Sequence, residues 1–436
     1  MSEVTTSAQP AAAIATSSPR DRLGIPALVT ATAISNIGNG ITALAVPWFV
    51  LVTTGSAART GIAGALTLLA HVLSGVLGGA LVDRLGYKRV SIVSDLLSGV
   101  TVALIPTLYL LDVLAFWHIL VLIFLGAVFD APGSAARRSM IPALARRAGM
   151  QLERANAAME LGTQSSQSLL GPLVAGLLIA LVGAANVLYF DAATFAVSVL
   201  IIGLFIRMPV IREAVASVDT PVKTSYFSDV LEGLRFFTRD AFLRVVIPIS
   251  ILYNFVFAPI FAVTMPVFVR ETMGGAGRLG LIIGGFGIGV ALSTLIYGAV
   301  GARLSRLPVL YGGVILIAIG FWMLAAAQGF WLALLGMIII GAATGPTNVL
   351  ASVIIQARVP EGMLGRITAL LFAFSTLAAP LGILLMGFVI EAAGYRTALV
   401  GAAVCATIGT IWALAVPELR RLRQELESAG REAAAD

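Results

Sequence analysis

Charge is scarce in this sequence. Of 436 residues, 28 are Lys or Arg and 22 are Asp or Glu, only 11% of the chain. A water-facing surface on a chain this size needs more, since folding still leaves much of it exposed. One cysteine, Cys405, excludes an intrachain disulfide, and two histidines, His71 and His118, make no Cys/His metal site of familiar spacing. There is no G-x-S-x-G elbow, no P-loop and no H-E-x-x-H, so hydrolase, ATP-driven and zinc-protease chemistry have no footing in the motifs. What fills the chain is oil. The hydrophobic set reaches 59% before the 45 glycines are added, against about 45–50% with glycine included in soluble domains. Mean hydropathy is +0.99. These numbers exclude a soluble enzyme. They also exclude a nucleic-acid reader, despite a net charge of +6.

Residues 1–22 read as a disordered tail, and no signal peptide precedes the first long apolar stretch. Apolar runs near the ~20 residues that cross a ~30 Å hydrocarbon core then recur at 24–52, 60–82, 90–112, 114–135, 156–183, 186–207, 243–269, 279–300, 308–328, 330–355, 366–391 and 396–416. Helix is the natural state for each, because a lipid-facing backbone must satisfy its own hydrogen bonds. The fold class is therefore an all-α polytopic membrane protein of twelve helices. Laying the tails and even-numbered loops on one side sorts the basic residues 24 to 4, with only Arg59, Arg270, Arg278 and Arg396 opposite. The arginine-rich side is expected to be cytoplasmic, with both termini there.

The polar break at 208–242 contains Val230, Leu231, Leu234 and Phe237 on one helical face, which predicts an amphipathic helix on the membrane surface. It separates an N-terminal six-helix bundle, 23–207, from a C-terminal one, 243–417, with a cytoplasmic tail at 418–436. The halves repeat. An offset of 219 maps Pro47-Trp-Phe-Val50 onto Pro266-Val-Phe-Val269, Gly61 onto Gly280, Gly79 onto Gly298 and Arg84-Leu85 onto Arg303-Leu304. Two such halves, both starting inside, form parallel repeats about an axis along the membrane normal.

The loop after span 2 reads Gly79-Ala-Leu-Val-Asp83-Arg84-Leu-Gly86-Tyr-Lys88-Arg89. It resembles the signature loop of the major facilitator superfamily, departing from it at Tyr87. The second-half copy keeps Arg303 but has Ala302 where the acid stood. Arg138-Ser-Met-Ile-Pro142, Leu152-Glu-Arg-Ala-Asn156, Gly171-Pro172, Asp191-Ala-Ala-Thr-Phe195, Gln356-Ala-Arg-Val-Pro360 and Gly365-Arg366 resemble the drug-efflux branch. That branch includes macrolide and enterobactin exporters and mycobacterial-type tetracycline/aminoglycoside pumps. The antiporter signature of span 5 is met only in part, by Gly171-Pro-Leu-Val-Ala175-Gly176.

Read physically, Gly79 allows close helix approach and Gly86 a sharp turn. Asp83 suits the N–H groups opening a facing helix, which the resemblance makes span 11 near Gly365. Asp83 and Arg84 form a conformational latch on this reading. Lys88 and Arg89 either join it or serve as positive-inside anchors.

Four acids lie within spans: Asp95, Asp130, Glu160 and Asp191. Each costs roughly 2.5–3.5 kcal/mol at a helix centre, which demands a partner, a wet cavity or a proton. A carboxylate that takes a proton on one side and releases it on the other converts the proton gradient into work. All four are candidate carriers, with Asp130 and Glu160 leading; Asp95 and Asp130 are alternatively held by Arg84, Arg89, Arg137 or Arg138, and Asp191 suits packing or a polar network more than proton carriage. Substrate contacts are expected from Asn36, Asn39, Trp48, Gln164, Gln167, Tyr253, Asn254 and Asn348, each of which alternatively makes interhelical hydrogen bonds. The resulting expectation is a monomeric bacterial inner-membrane exporter of amphipathic small molecules. It exchanges them for protons by alternating access and needs no cofactor beyond the proton motive force. Export of one physiological substrate, such as a siderophore or lipid, and a non-transporting receptor or scaffold are the competing readings.

Overall fold

The computed structural model describes residues 23–207, 243–359 and 361–415. The two tails, and the linker at 208–242 with its amphipathic helix, lie outside the described residues. So do the side chains of 75–84 and 361–372, among them those of Asp83 and Arg84.

Among the described residues, eleven helical runs are long and apolar enough to cross a membrane. The last of them is two helices, because Gly394 breaks it at φ 80°, ψ 163°, a conformation that a Cβ would strain. Twelve helices result. They are α1 (Gly24–Thr54), α2 (Ala57–Leu85), α3 (Tyr87–Leu110), α4 (Phe116–Ala148), α5 (Leu152–Val182) and α6 (Val187–Phe205) in the first bundle. The second holds α7 (Leu243–Thr272), α8 (Ala276–Val300), α9 (Arg306–Ala326), α10 (Phe330–Arg358), α11 (361–393) and α12 (395–415). Each helix matches one apolar run, although α4 continues thirteen residues past the predicted end at 135.

Two helices are not regular. Ser165–Leu170 in α5 and Ile260–Thr264 in α7 are π-helical turns. Each lies just before a proline, Pro172 and Pro266. A proline ring excludes the carbonyl four residues back, and the wider turn gives it room.

The halves meet at the arginine-poor end through glycine. A Cβ on Gly176 of α5 would lie 2.7 Å from Gly280 Cα of α8, and one on Gly61 of α2 would lie 3.0 Å from Gly387 Cα of α11. Gly61 and Gly280 are the pair matched by the 219-residue offset, so the repeat places the same device in both halves. The run Gly285-Phe-Gly-Ile-Gly289 is likewise a packing surface, since a Cβ on Gly289 would lie 2.4 Å from the Ile338 carbonyl oxygen.

At the other end, Gly86 turns the chain between α2 and α3 with φ 82°. Lys88 Nζ then donates to the Gly203 and Ile206 carbonyls at 2.9 and 2.6 Å, and Arg147 Nη1 to the Arg207 carbonyl at 2.6 Å. These cations cap the carbonyl end of α6, where the helix dipole favours them. Arg89 is exposed.

Candidate transport cavity

On the arginine-rich side of the glycine seam lies a cavity of about 800 Å³, within the range that encloses drug-sized ligands. Helix α1 supplies its polar wall. Thr32, Asn36, Asn39 and Thr42 recur at helical spacing and all face it. Val46, Leu68, Val102, Ile105, Leu122, Phe195 and Phe261 make the rest largely apolar.

A chain of polar groups runs through the first bundle beside it. At the arginine-rich end Asp95 of α3 is fully buried, takes a hydrogen bond from Arg137 Nη1 at 2.6 Å and another from Ser198 Oγ at 2.7 Å. Arg137, itself 1% exposed, turns its Nη2 toward Asp130 Oδ1 at 3.9 Å. Asp130 Oδ2 accepts from Asn39 Nδ2 at 3.3 Å, while Oδ1 has no hydrogen-bond donor among the described residues. One helical turn along α1, Thr42 donates to Asp191 Oδ2, and Thr194 donates to Asp191 Oδ1 at 3.3 Å. At 1.5 Å per residue, Asp191 stands about 6 Å from the arginine-poor start of α6, and Asp130 and Arg137 about 21 and 32 Å from that of α4. The chain therefore steps through the depth of the bundle.

The charges along it do not balance. Asp95 and Arg137 form a tight pair, which offsets their desolvation. Among the described residues, Asp130 has only the far side of the same guanidinium. Asp191 is 0% exposed and, among the described residues, has hydroxyls but no cation within ion-pair distance. Gly38 makes this burial possible, because a Cβ there would lie 2.1 Å from both Asp191 Oδ1 and Thr194 Oγ1.

The structure sorts the residues singled out from the sequence. Asn36, Asn39, Gln167, Asp130 and Asp191 line the cavity together. Glu160 is exposed, holds a 3.2 Å hydrogen bond from Gln164 Nε2, and lies off the cavity lining with it. The cavity-facing row of α5 is instead Met159, Thr163 and Gln167, so the three-residue spacing of Gln164 and Gln167 does not put both on that face. The π-helical turn that begins at Ser165 intervenes. Trp48 is buried in the apolar core beside Phe49. Tyr253, Asn254 and Asn348 line a second cavity of about 310 Å³ inside the C-terminal bundle, between α7, α9, α10 and α12. No charged residue is among its described lining. Thr42, Thr194, Gly38 and His71 were not read from the sequence, although the Thr32–Asn36–Asn39–Thr42 period carried a signal for the first.

Comparison with known proteins agrees with this architecture. Residues 17–432 match the family described as transmembrane secretion effector. The multidrug efflux pump Tap of Mycolicibacterium fortuitum is 30% identical over 399 residues, covering 91% of this chain and 96% of that protein. Macrolide efflux protein A of Streptococcus pyogenes is 22% identical over 355 residues, covering 81% and 86%. Among solved structures, the nucleoside transporter NupG superposes with a TM-score of 0.74 at 15% identity, covering 90% of this chain and 98% of that one. A bacterial homologue of the human lysosomal transporter Spinster gives 0.71 at 16% identity, covering 93% and 98%.

Proposed function

Because the chain belongs to the transmembrane secretion effector family of the major facilitator superfamily, we propose that it exports amphipathic small molecules in exchange for protons. It is a membrane transporter with multidrug-efflux relatives, and proton exchange is the step added to that ground. One observation carries this step: a drug-sized cavity is walled by two carboxyl groups, Asp130 and Asp191, buried without a full complement of positive charge. A buried carboxylate of this kind is tolerable when it holds a proton, and a proton that leaves on the other side does work.

In this reading the arginine-rich end faces the cytoplasm of a bacterial cell, as the positive-inside bias requires. The glycine seam closes the external end, so the cavity belongs to the inward-facing state of a monomer that works by rocking its two bundles. Substrate enters from the cytoplasm or inner leaflet and packs on Phe195, Phe261 and the aliphatic wall, with Asn36 and Gln167 as hydrogen-bonding partners. Asp191 and Asp130 each take a proton from outside and discharge it inward as the cycle returns. Asp95 is not a carrier on this view, because its pairing with Arg137 fixes its charge. Relatives that pump several drugs, together with a mostly apolar wall, support a broad substrate range over a single physiological one. The sole energy source is the proton motive force.

The test is transport of an amphipathic dye into inverted vesicles. Uptake should depend on a proton gradient, collapse with an uncoupler, and reach a lower level in Asp130→Asn and Asp191→Asn. Uncoupler-insensitive transport, or wild-type levels in both variants, would remove proton exchange from the account.

A further inference from the structure

Among the described residues, one charged side chain joins the two halves at the arginine-poor end. Glu391 closes α11, and its Oε2 accepts the Ser56 hydroxyl and the Ala58 backbone N–H of α2, each at 3.1 Å. The first turn of any helix leaves backbone N–H groups without partners. Here Ser56 Oγ takes the Arg59 N–H at 3.1 Å, the usual service of an N-cap serine. Glu391 takes the Ala58 N–H, and so caps a helix of the other half. No cation competes for it: among the described residues Glu391 makes no ion pair, and the Arg59 guanidinium sits over the Phe116 ring at 5.5 Å.

The place of this contact gives it a consequence. Gly387 and Gly61 meet one helical turn deeper, where the two helices touch through backbone. That seam is apolar and depends on shape. The Glu391 contact is directional, and the same parting of α2 from α11 that would open the seam must break it. We propose that Glu391 is the latch of the arginine-poor end: its carboxylate, held by the N-terminus of α2, stabilises the closed state of that end and must release before the cavity opens there. The inference rests on the rocking cycle proposed above. It adds an acid at the end of α11 to the one that the sequence leads us to expect at Asp83 of α2.

Accessibility of the cavity from the two faces tests it. In a Cys405→Ser background, Thr67→Cys places a thiol on the cavity wall, to be labelled with a membrane-impermeant methanethiosulfonate in right-side-out and inverted vesicles. Glu391→Ala should raise the initial labelling rate from the arginine-poor face about two- to fivefold, the population change that corresponds to losing an acid at a helix N-terminus. Glu391→Gln, which keeps an acceptor oxygen and loses the charge, should give a smaller rise of the same sign. An unchanged rate in both variants, when the parent is labelled from both faces, overturns the latch while leaving the rocking cycle intact. A parent labelled from one face only, even during turnover, overturns the cycle and the latch with it.

Discussion

Replacing Asp191 by Asn removes a titratable proton site with little disturbance of its surroundings. The side chain is isosteric, still offers an oxygen to Thr42, and no longer asks a fully buried group to carry charge. The fold should therefore persist, and the effect should appear in energetics. One elementary charge crossing 100 mV is worth about 2.3 kcal/mol, or about a fiftyfold concentration ratio. If Asp130 and Asp191 each bring in one proton per cycle, the variant loses one such factor. In proteoliposomes clamped at 100 mV with a potassium diffusion potential, the limiting gradient of a neutral amphipathic dye should fall about fiftyfold relative to the unaltered protein. Equal limiting gradients would refute the reasoning, even if the variant were slower, because a rate can fall for many reasons and a thermodynamic limit only through lost coupling.

The same geometry sets the outcome of three further substitutions. Arg137→Met strands the buried Asp95 charge and should cost about 3–5 kcal/mol of stability, much of it regained in Asp95→Asn/Arg137→Met, as read by denaturation in detergent. Gly176→Val forces a side chain into a 2.7 Å approach to Gly280 Cα and should part the seam, raising labelling of Thr67→Cys from the arginine-poor face and abolishing efflux. Gly203→Ala, which meets nothing within 4 Å, is the control and should change neither.

The fold was legible because its signals are local. Span length and the 219-residue offset each need only the chain itself, and the offset even selected Gly61 and Gly280, the glycines of the seam. The site was legible where helical phase stayed true: Asn36 and Asn39, three apart on a regular helix, share the cavity as their spacing implied. Phase failed in α5, where the π-helical turn before Pro172 shifts the helical register and separates Gln167 from Gln164. It was silent on partners. Four arginines stood near Asp95, and only the packing of α3 on α4 selects Arg137, 42 residues away. Asp191 looked like a routine polar group because Thr42 and Gly38, which seat it, lie about 150 residues upstream. Tyr253, Asn254 and Asn348 are polar and inward, yet inward in that half means a separate cavity.

The rocking cycle proposed above gives that last separation a reason. Two bundles that rock as bodies keep internal hydrogen bonds and break those between them. The polar network of Asp95, Arg137, Asp130, Asn39, Thr42 and Asp191 is drawn from α1, α3, α4 and α6 and lies inside one body, so on that cycle it survives the stroke while access to Asp130 and Asp191 changes. A relay that crossed to α7 or α10 would be cut in every cycle. An acid added to the C-terminal bundle should thus be a burden without being a carrier. Asn254→Asp places a carboxyl in the uncharged second cavity and should cost up to about 2.5–3.5 kcal/mol. Combined with Asp191→Asn it should leave the limiting dye gradient as low as in the single variant. Recovery of that gradient in the double variant would show that proton transfer can pass between the bundles, and the confinement of coupling to the first half would have to be given up.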